Sequence, residues 1–551
     1  MSAEGARIPV LILKEGAGRT RGREAQMNNI LAAKLVGEVV KSSLGPRGMD
    51  KMLVDTLGDV TVTADGATIL KEMEVQHPAA KIMVEISKAQ DKETGDGTTS
   101  VVVLASELLS KAEELIEGNV HPTVILEGFM AATEKALKVL NKIGIKVDPT
   151  DKDVLRRVAM TSMASKIVTE ESPHLADVAI EAVLQAAEKV KEGYKVDLDD
   201  IKVEKKAGES LLDTKIIQGI ALDKEVVHPG MPKRIVNAKI ALVNSAMEVK
   251  KTEFDARIRI DRPEQISAYL DQERTLLKEM VDRVKATKTD VLLCQKGIDD
   301  VAQHLLAKEG ILAVRRVKKS DMEKLERATG GRIVNRPEDL SPDTLGFAGL
   351  VEERRVGEDK WVFVEGCKNP KSVTILIRGG TEKIVDEAER SIHDSMSVVK
   401  DVLEKPKIVA GGGASEMELA MEVRRWAAGL KGRKQLAAMR FADALEVIPR
   451  ALAENSGLDP IDMLTDLKAS HEKGERWAGI NIFEGRVGDM SKTNVFEPTL
   501  VKEQMIKSAA EAATLILRVD DVITKGKAPP TPPTPPPGMP GGMPPGGMPP
   551  Y

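Results

Sequence analysis

The segment TGDGTTSVVVLASELL, residues 94–109, places an aspartate, two glycines and several hydroxyl side chains at the start of an apolar run. Glycines let the backbone approach an anion closely, and the free N–H groups of a helix start point toward it. An aspartate in this position could hold the Mg²⁺ that accompanies a nucleotide phosphate. The same residue types also form ordinary helix N-cap turns. The segment alone therefore leaves a phosphate cradle and a simple capped turn equally open.

Two further segments carry glycines before a helix-like run. TADGATIL, residues 63–70, offers Asp65 as a second acid near the same phosphate, although a capped turn is favoured for this segment in isolation. VAGGGASEME, residues 409–418, could approach a flat ring or a ribose, but it also suffices as a plain strand-to-helix turn. The pattern GxxxxGK[ST] does not occur in the sequence, which argues against a P-loop nucleotidase.

SIHDSM, residues 391–396, contains an acid and a histidine in a helical run. Asp394 lies about 200° around a helix from Ile392, which faces the core. Periodicity alone therefore predicts that Asp394 is solvated. It also makes His393 a poor ligand candidate, since no partner stands near it at ligand spacing.

Composition limits the class of protein. A chain of 551 residues is too long for one core, so several domains are expected. The net charge of −5 and the 2% of aromatic residues give no reason to expect a nucleic-acid partner. Two cysteines outside any CxxC pattern favour a reducing compartment and argue against zinc. No apolar run approaches the roughly 20 residues of a membrane span, and the start lacks the pattern of a signal peptide, so a cytoplasmic protein without a membrane partner is predicted.

The elements that would position these residues begin with a mainly helical unit of about 145 residues. Helices are predicted over 23–44, 98–117 and 122–143, with a strand–turn–strand over 52–63. The first of these helices contains the apolar residues Ile30, Leu31, Leu35 and Val39, and in the third helix Leu126, Met130, Leu137 and Leu140 fall on one face.

From about residue 195 the pattern alternates as in strands and predicts an α/β or α+β unit. A helical block over 261–287, with capping-box spacing at Asp261 and Glu264, interrupts the strands. A strand over 373–380 precedes a helix over 382–403, and the chain is helical again from the GGG at 411–413 to about 470. The Pro/Gly/Met-rich tail, residues 528–551, is predicted to be disordered.

Several segments together carry a resemblance that each one alone does not. The chain resembles the group II chaperonins, the archaeal thermosome and the eukaryotic cytosolic chaperonin, in order and spacing to about residue 525. The segments that carry the resemblance are SLGPRGMDKMLVD, TADGATIL, GDGTTSVVVLASELL, VHPGMPKRI, LIRGGTEKIVDEAERSIHDS, VAGGGASEMELA, LAENSGLDPIDML and FEPTLVKEQ.

The resemblance implies an ATP and Mg²⁺ site. Asp96 is the implied Mg²⁺ ligand, and Asp394 and Asp65 are the implied catalytic acids that orient the attacking water, with Asp394 as the base. Ser165 and Lys166 resemble the loop that senses the γ-phosphate. The implied contacts to the phosphates and the nucleoside are Gly45, Gly97, Thr98, Thr99, Ser100, Gly412 and Glu497.

The resemblance also implies the architecture, a multidomain chaperonin fold. It has a mainly α-helical equatorial domain over 1–148 and 404–527, and an α/β intermediate hinge domain over 149–216 and 370–403. An α/β apical domain over 217–369 carries a helical lid protrusion at about 250–285. The implied function is an ATP-dependent chaperone that encloses non-native proteins in two stacked rings of about eight or nine same or paralogous subunits.

Two other classes of protein remain open from the residues alone. A small-molecule kinase or other metabolic ATPase would need polar substrate groups near Asp394 and would be a monomer or small oligomer. A filament or RNA-associated protein would use ATP only to assemble and would not rescue a denatured client. Particle size distinguishes the first alternative, and a refolding assay distinguishes the second.

Overall fold

The structure is a computed structural model of the 551-residue chain. It describes residues 18–166, 171–191, 193–249, 263–368 and 372–524, without the side chains of 18, 263–270 and 524. The predicted cap at Asp261, the tail over 528–551 and part of the segment 250–285 lie outside the described residues.

Helices dominate both ends of the described chain, and strands dominate its middle. The helices are α1 (Gly22–Lys41), α2 (Gly66–Glu72), α3 (Pro78–Thr94), α4 (Thr98–Glu117), α5 (Pro122–Ile143), α6 (Lys152–Met163), α7 (Ser172–Ala186), α8 (Pro263–Ala286), α9 (Asp300–Lys308), α10 (Lys319–Thr329), α11 (Glu382–Glu404), α12 (Ala414–Ala427), α13 (Arg433–Leu445), α14 (Val447–Asn455), α15 (Pro460–Glu472) and α16 (Thr499–Leu517).

The strands form one large mixed sheet and several small sheets. They are β1 (Gly18–Arg21), β2 (Lys51–Val54), β3 (Val60–Thr63), β4 (Ile145–Lys146), β5 (Glu188–Val190), β6 (Gly193–Lys195), β7 (Ile201–Ala207), β8 (Lys215–Ile217), β9 (Gly219–Leu222), β10 (Arg234–Val243), β11 (Val291–Cys294), β12 (Leu312–Val314), β13 (Ile333–Val334), β14 (Gly346–Val356), β15 (Asp359–Cys367), β16 (Val373–Gly379), β17 (Lys407–Ala410), β18 (Ala478–Asn481), β19 (Arg486–Asp489), β20 (Phe496–Pro498) and β21 (Asp521–Thr524).

Local start signals placed several helices correctly. α4 begins at Thr98 because Gly97 takes the left-handed conformation, φ 77°, just before it. α5 begins at Pro122, and the His121 side chain accepts a hydrogen bond from the Thr123 N–H. The side chain of Thr381 caps α11 in the same way through the Ile384 N–H. The predicted starts at 98, 122 and 382 are therefore confirmed.

Of the four apolar residues noted in the sequence of α1, only Ile30 is buried. Leu31, Leu35 and Val39 are exposed, and the helix ends at Lys41 rather than at residue 44. The buried face carries smaller residues, and at Gly37 an added Cβ would lie 2.3 Å from the Ser106 Oγ of α4. Small residues let α1 and α4 approach closely, so the bulkier side chains are left on the outside. The buried face of α1 consists of Ala25, Asn29, Ile30, Ala33, Val36, Gly37 and Val40.

Met130 of α5 is also exposed, against the prediction, because Phe129 takes the core position beside it. Phe129 packs edge-to-face against Phe441 of α13, with the ring centroids 5.8 Å apart. Leu126 and Leu140 are buried as predicted.

The largest hydrophobic core contains side chains from both ends of the chain, residues 30–140 and 409–517. The ends also meet in a two-stranded antiparallel sheet, where Gly18 of β1 pairs with Thr524 of β21. A short sheet of order β20-β17-β4 adds a further link, with Val409 opposite Glu497. These contacts place the glycine-rich segments of the two ends side by side.

A second core, residues 220–364, surrounds the seven-stranded sheet of order β12-β11-β10-β14-β15-β9, to which β13 is added beside β10. A third core combines residues 155–211 with residues 373–408 and with Phe496 and Val501. There β16 pairs in parallel with β7, Val373 opposite Ile201, and α11 follows β16. The apolar stripe predicted for α11 is confirmed, because its six members are all buried: Val385, Ala388, Ile392, Met396, Val399 and Leu403.

Candidate functional site

The turn between α3 and α4 contains the GDGTTS segment. Gly95 ends α3 and Gly97 precedes α4, both in the left-handed conformation that favours glycine. The Gly97 N–H donates to the Asp96 carboxylate over 2.6 Å, and the Gln90 side-chain amide donates to the Asp96 carbonyl over 2.9 Å. The turn is therefore held from within the protein, and Gly97 and Ser100 at the start of α4 line the adjoining cavity.

Asp65 acts as the cap of α2 and also ties α2 to α4. Its carboxylate accepts from the Thr68 N–H over 2.8 Å and from the Thr98 hydroxyl over 2.9 Å. Burial alone would raise the pKa of Asp65, but the positive charge of Lys166 and these hydrogen bonds outweigh it and lower the pKa below its ordinary value. Asp65 is therefore held as a carboxylate. TADGATIL forms the capped turn that was favoured for it in isolation.

Asp394 is buried, so the prediction from periodicity that it is solvated is wrong. Only 8% of the residue is exposed, and its Oδ2 forms an ion pair with the Nζ of Lys166, which follows α6. Periodicity failed because α6 packs on one side of α11 and α3 on another, so the flank that carries Asp394 is covered as well as the core stripe. The resemblance implies one ATP site for Asp394 and Lys166, but it did not specify this ion pair.

The charges around Lys166 explain its state. Burial would lower the pKa of Lys166, yet the carboxylates of Asp394 and Asp65 raise it above its ordinary value. The lysine is thus a fixed cation between two acids from distant segments of the chain. A buried pair of this kind costs desolvation energy, which suits a functional role better than a stabilising one.

A cavity of about 920 Å³ opens beside this ion pair. Its volume lies within the range of small-molecule pockets. Apolar side chains from α14, from residues 480–483 and from Met490 form one part of its wall. Seven predicted site residues line the cavity: Gly45, Asp96, Gly97, Ser100, Ser165, Gly412 and Glu497.

The other five predicted site residues do not line the cavity. Thr98 and Thr99 are buried, and the Thr98 hydroxyl is already engaged by Asp65. Asp65, Lys166 and Asp394 form a charged group next to the cavity, since the Asp394 charge acts on the Asp96 carboxyl at the cavity wall. The structure therefore brings the predicted residues into one region, with Thr98 and Thr99 behind the wall.

Two glycines of the cavity wall have a specific reason to be glycine. Gly45 has φ 85°, and an added Cβ would lie 2.4 Å from a methyl carbon of Leu452. Gly412 has φ 64°, and an added Cβ would lie 2.7 Å from the Met490 sulfur. Side chains at these positions would strain the backbone and displace the wall.

A buried ion group supports the cavity wall at Glu497. Sequence reasoning did not predict this group. The Lys502 ammonium pairs with Glu416 over 2.6 Å and also with Glu497. Burial and the negative charge of Glu416 raise the pKa of Glu497, while both carboxylates raise that of Lys502. Lys502 and Glu416 stand inside two of the segments quoted above, FEPTLVKEQ and VAGGGASEME, but nothing in their spacing reveals the contact.

Asp91 is a second residue of this region that the sequence analysis did not predict. It lies on α3, five residues before Asp96, and one of its oxygens lies within 4.8 Å of polar atoms of His393 and Asp394. Burial, followed by the charges of Asp65 and Asp394, raises the pKa of Asp91 to about 6. Four carboxylates, Asp65, Asp91, Asp96 and Asp394, thus lie in one region, where the charges of two lysines, Lys166 and Lys502, act against them.

This excess of carboxylate oxygens fits a hard divalent cation. Burial, and then the charge of Asp394, raise the pKa of Asp96, which means that its negative charge lacks full compensation. A bound cation would supply that compensation, and oxygen ligands are those that Mg²⁺ prefers. The residues present therefore suit a magnesium-bound phosphate beside the start of α4.

Comparison with known proteins places this fold and site in a family. Residues 36–527 match the TCP-1/cpn60 chaperonin family. The chain is 58% identical to the thermosome subunit of Pyrococcus horikoshii over 519 residues, 94% of each chain. It is 57% identical to the thermosome subunit alpha of Archaeoglobus fulgidus over 515 residues, again 94% of each chain.

The chain belongs to the TCP-1/cpn60 chaperonin family. Its similarity to archaeal thermosome subunits confirms the predicted group II resemblance. It is a nucleotide-binding ATPase that promotes the folding of non-native proteins, the function that its family and relatives define. Among the residues that the structure describes, no helix is both long and apolar enough to cross a membrane.

Proposed function

We propose that the cavity binds Mg²⁺ and ATP, with the phosphates at the α3–α4 turn and the nucleoside toward the apolar wall. The observation that carries the proposal is the meeting of Asp96, Lys166 and Asp394, from three distant segments, beside one cavity of nucleotide size. Asp96 would hold Mg²⁺, which supplies charge neutralisation for the phosphates. Gly97 and Ser100 would offer backbone and hydroxyl donors, supported by Thr98 and Thr99 from behind.

The nucleoside half of the site is proposed from the other lining residues. Gly45 and Gly412 leave room for a ring or sugar close to the backbone. The side chain of Glu497 is 20% exposed and lines the cavity, so one of its oxygens is placed to accept from ribose hydroxyls. Lys502 holds that carboxylate in place from the opposite side.

Asp394 is the proposed general base. Its carboxylate would accept a proton from the water whose oxygen attacks the γ-phosphorus, as the bond from that phosphorus to the β–γ bridging oxygen breaks and ADP leaves. Asp65 would orient the same water, and its lowered pKa keeps it ionised. Ser165, which lines the cavity, and Lys166, which pairs with Asp394, are placed to respond to the γ-phosphate.

The domain boundaries predicted from the resemblance complete the proposal. The three largest cores support them, since residues 30–140 and 409–517 share one core, residues 220–364 a second, and residues 155–211 and 373–408 a third, to which Phe496 and Val501 are added at the boundary. Lys166 and Asp394 would then belong to the intermediate domain, while Asp96 belongs to the equatorial domain. Closure of the intermediate domain onto the equatorial domain would complete the site and transmit the nucleotide state to the apical lid.

The assembly remains part of the proposal. Same or paralogous subunits would form two stacked rings of about eight or nine members around a cavity, in the cytoplasm, with protrusions at about 250–285 as the lid. Non-native proteins would be the partners within that cavity.

A refolding assay on the purified assembly tests the proposal. We expect a chemically denatured client to regain activity when Mg²⁺ and ATP are present, and to stay inactive with ADP. Electron microscopy of the same sample should show double rings. Small particles would favour a metabolic kinase, and equal client recovery with and without ATP would favour a filament or RNA-associated ATPase.

A further inference from the structure

The second oxygen of Asp394 faces two residues that the mechanism above leaves unused. While Oδ2 pairs with Lys166, Oδ1 lies 3.9 Å from the Nδ1 of His393. Polar atoms of Asp91, His393 and Asp394 all lie within 4.8 Å of one another. The imidazole thus stands between a carboxylate of α3 and the proposed base on α11.

Burial differs sharply within this group. The side chain of Asp394 is 11% exposed, whereas that of His393 is 51% exposed. The charged groups that act on His393 are Asp394 from its own helix, Asp91 from α3 and Lys166 from the segment after α6. His393 is therefore the member of the group that exchanges protons readily with solvent.

We propose that His393 is a positioning residue for ATP hydrolysis, and that its imidazole must be neutral for Asp394 to accept the proton of the attacking water. This inference rests on the proposed role of Asp394. At 3.9 Å the His393 Nδ1 and the Asp394 Oδ1 lie beyond hydrogen-bond distance, and a small rotation of the exposed imidazole would let its neutral form donate a hydrogen bond to Oδ1 and orient the carboxylate. An imidazolium would place a second cation beside a carboxylate that already pairs with Lys166, and would draw Oδ1 into an ion pair and away from the attacking water.

The expected pH dependence follows from the charges. Asp394, and then Asp91, raise the pKa of His393 above its ordinary value. As the pH falls through that raised pKa, His393 gains its proton and hydrolysis slows. Substitution of His393 by an uncharged residue removes this titration, whereas neutralising Asp91 lowers the pKa of His393 and moves the titration to lower pH.

The test is the rate of ATP hydrolysis by the assembled protein at saturating Mg-ATP, measured from about pH 5.5 to about pH 8.5. In the unmodified protein we expect the rate to fall about three- to tenfold on the acid side. His393→Gln should be flat over that range, and Asp91→Asn should shift the acid-side midpoint down by about 0.5–1 pH unit. His304→Gln, an exposed histidine on α9, is the control and should keep the original profile.

Two results would overturn the inference. An unchanged acid-side fall in His393→Gln would show that another group titrates. A fall that persists in His393→Gln but disappears in Asp91→Asn would assign it to Asp91 alone. Failure of the proposed function looks different, since Asp394→Asn would then hydrolyse ATP at the unmodified rate whatever the pH profile.

Discussion

Asp394→Asn is expected to bind ATP with little change and to hydrolyse it about 10²–10⁴-fold more slowly, because the amide cannot accept the proton of the attacking water. Asparagine keeps the size of the side chain, so the packing of α11 is preserved. In this variant Asp65 remains as a negatively charged partner of Lys166. The measurement is single-turnover cleavage of bound ATP, with nucleotide affinity determined separately.

Asp386→Asn is the matched control. Asp386 lies on the same helix, is partly exposed and pairs with Lys205 at the surface. Its loss should leave hydrolysis unchanged and alter stability by less than about 1 kcal/mol. If Asp394→Asn and Asp386→Asn both cleave ATP at the unmodified rate, Asp394 is not the base. Asp394→Ala is a poorer test, since it opens a void beside a buried lysine.

Lys502→Met is expected to be the most destabilising of the substitutions considered. It leaves Glu416 and Glu497 buried together without their shared cation, a change that typically costs about 3–5 kcal/mol. The midpoint of thermal unfolding of the assembled protein should fall accordingly, and ATP should bind more weakly because Glu497 is no longer held at the cavity wall.

Low pH should reduce this loss of stability in Lys502→Met. The pKa of Glu497 is already raised by burial and by Glu416, and removal of Lys502 raises it further. The variant can therefore protonate this carboxyl and relieve the repulsion, so the fall in the unfolding midpoint should be smaller at about pH 5.5 than at about pH 8. Lys507→Met, a half-exposed lysine on the same helix that pairs with Glu503, is the control and should change stability by less than about 1 kcal/mol. Equal effects of the two substitutions would show that the buried ion group does not hold the wall.

The sequence was most informative where structure is decided locally. The starts of α4, α5 and α11 follow from a glycine, a proline and a capping threonine close to the helix ends. The pattern around Asp96 likewise indicated a turn with free N–H groups. Such signals depend on a few neighbouring residues and hold in any fold.

Prediction failed where distant segments decide the environment. Leu31 and Leu35 are apolar residues of a correctly predicted helix, but the close approach of α4 to Gly37 turned smaller residues inward and left both leucines exposed. Asp394 looked solvated because one helix period does not reveal that α3 and α6 cover it. Lys502 pairs with Glu416, which stands 86 positions earlier in the sequence, a contact that spacing cannot indicate.

The resemblance supplied what local patterns could not, by setting Asp65, Asp96, Lys166 and Asp394 in one site. The structure adds what the resemblance left out, namely the positions of Asp91 and His393 and the ion group around Lys502. The structure also explains why positions 45 and 412 of the cavity wall are glycine, because an added Cβ would contact Leu452 or Met490 too closely.

The most direct test of the account is a cryo-electron microscopy map of the assembled protein trapped with Mg²⁺, ADP and aluminium fluoride. We predict a metal about 2.0–2.1 Å from the Asp96 carboxylate. We also predict an Asp394 oxygen about 2.6–3.2 Å from the in-line water, with the nucleoside between Gly45 and Gly412. A nucleotide bound elsewhere, or an Asp394 carboxylate that stays out of reach of that water in every subunit, would contradict it.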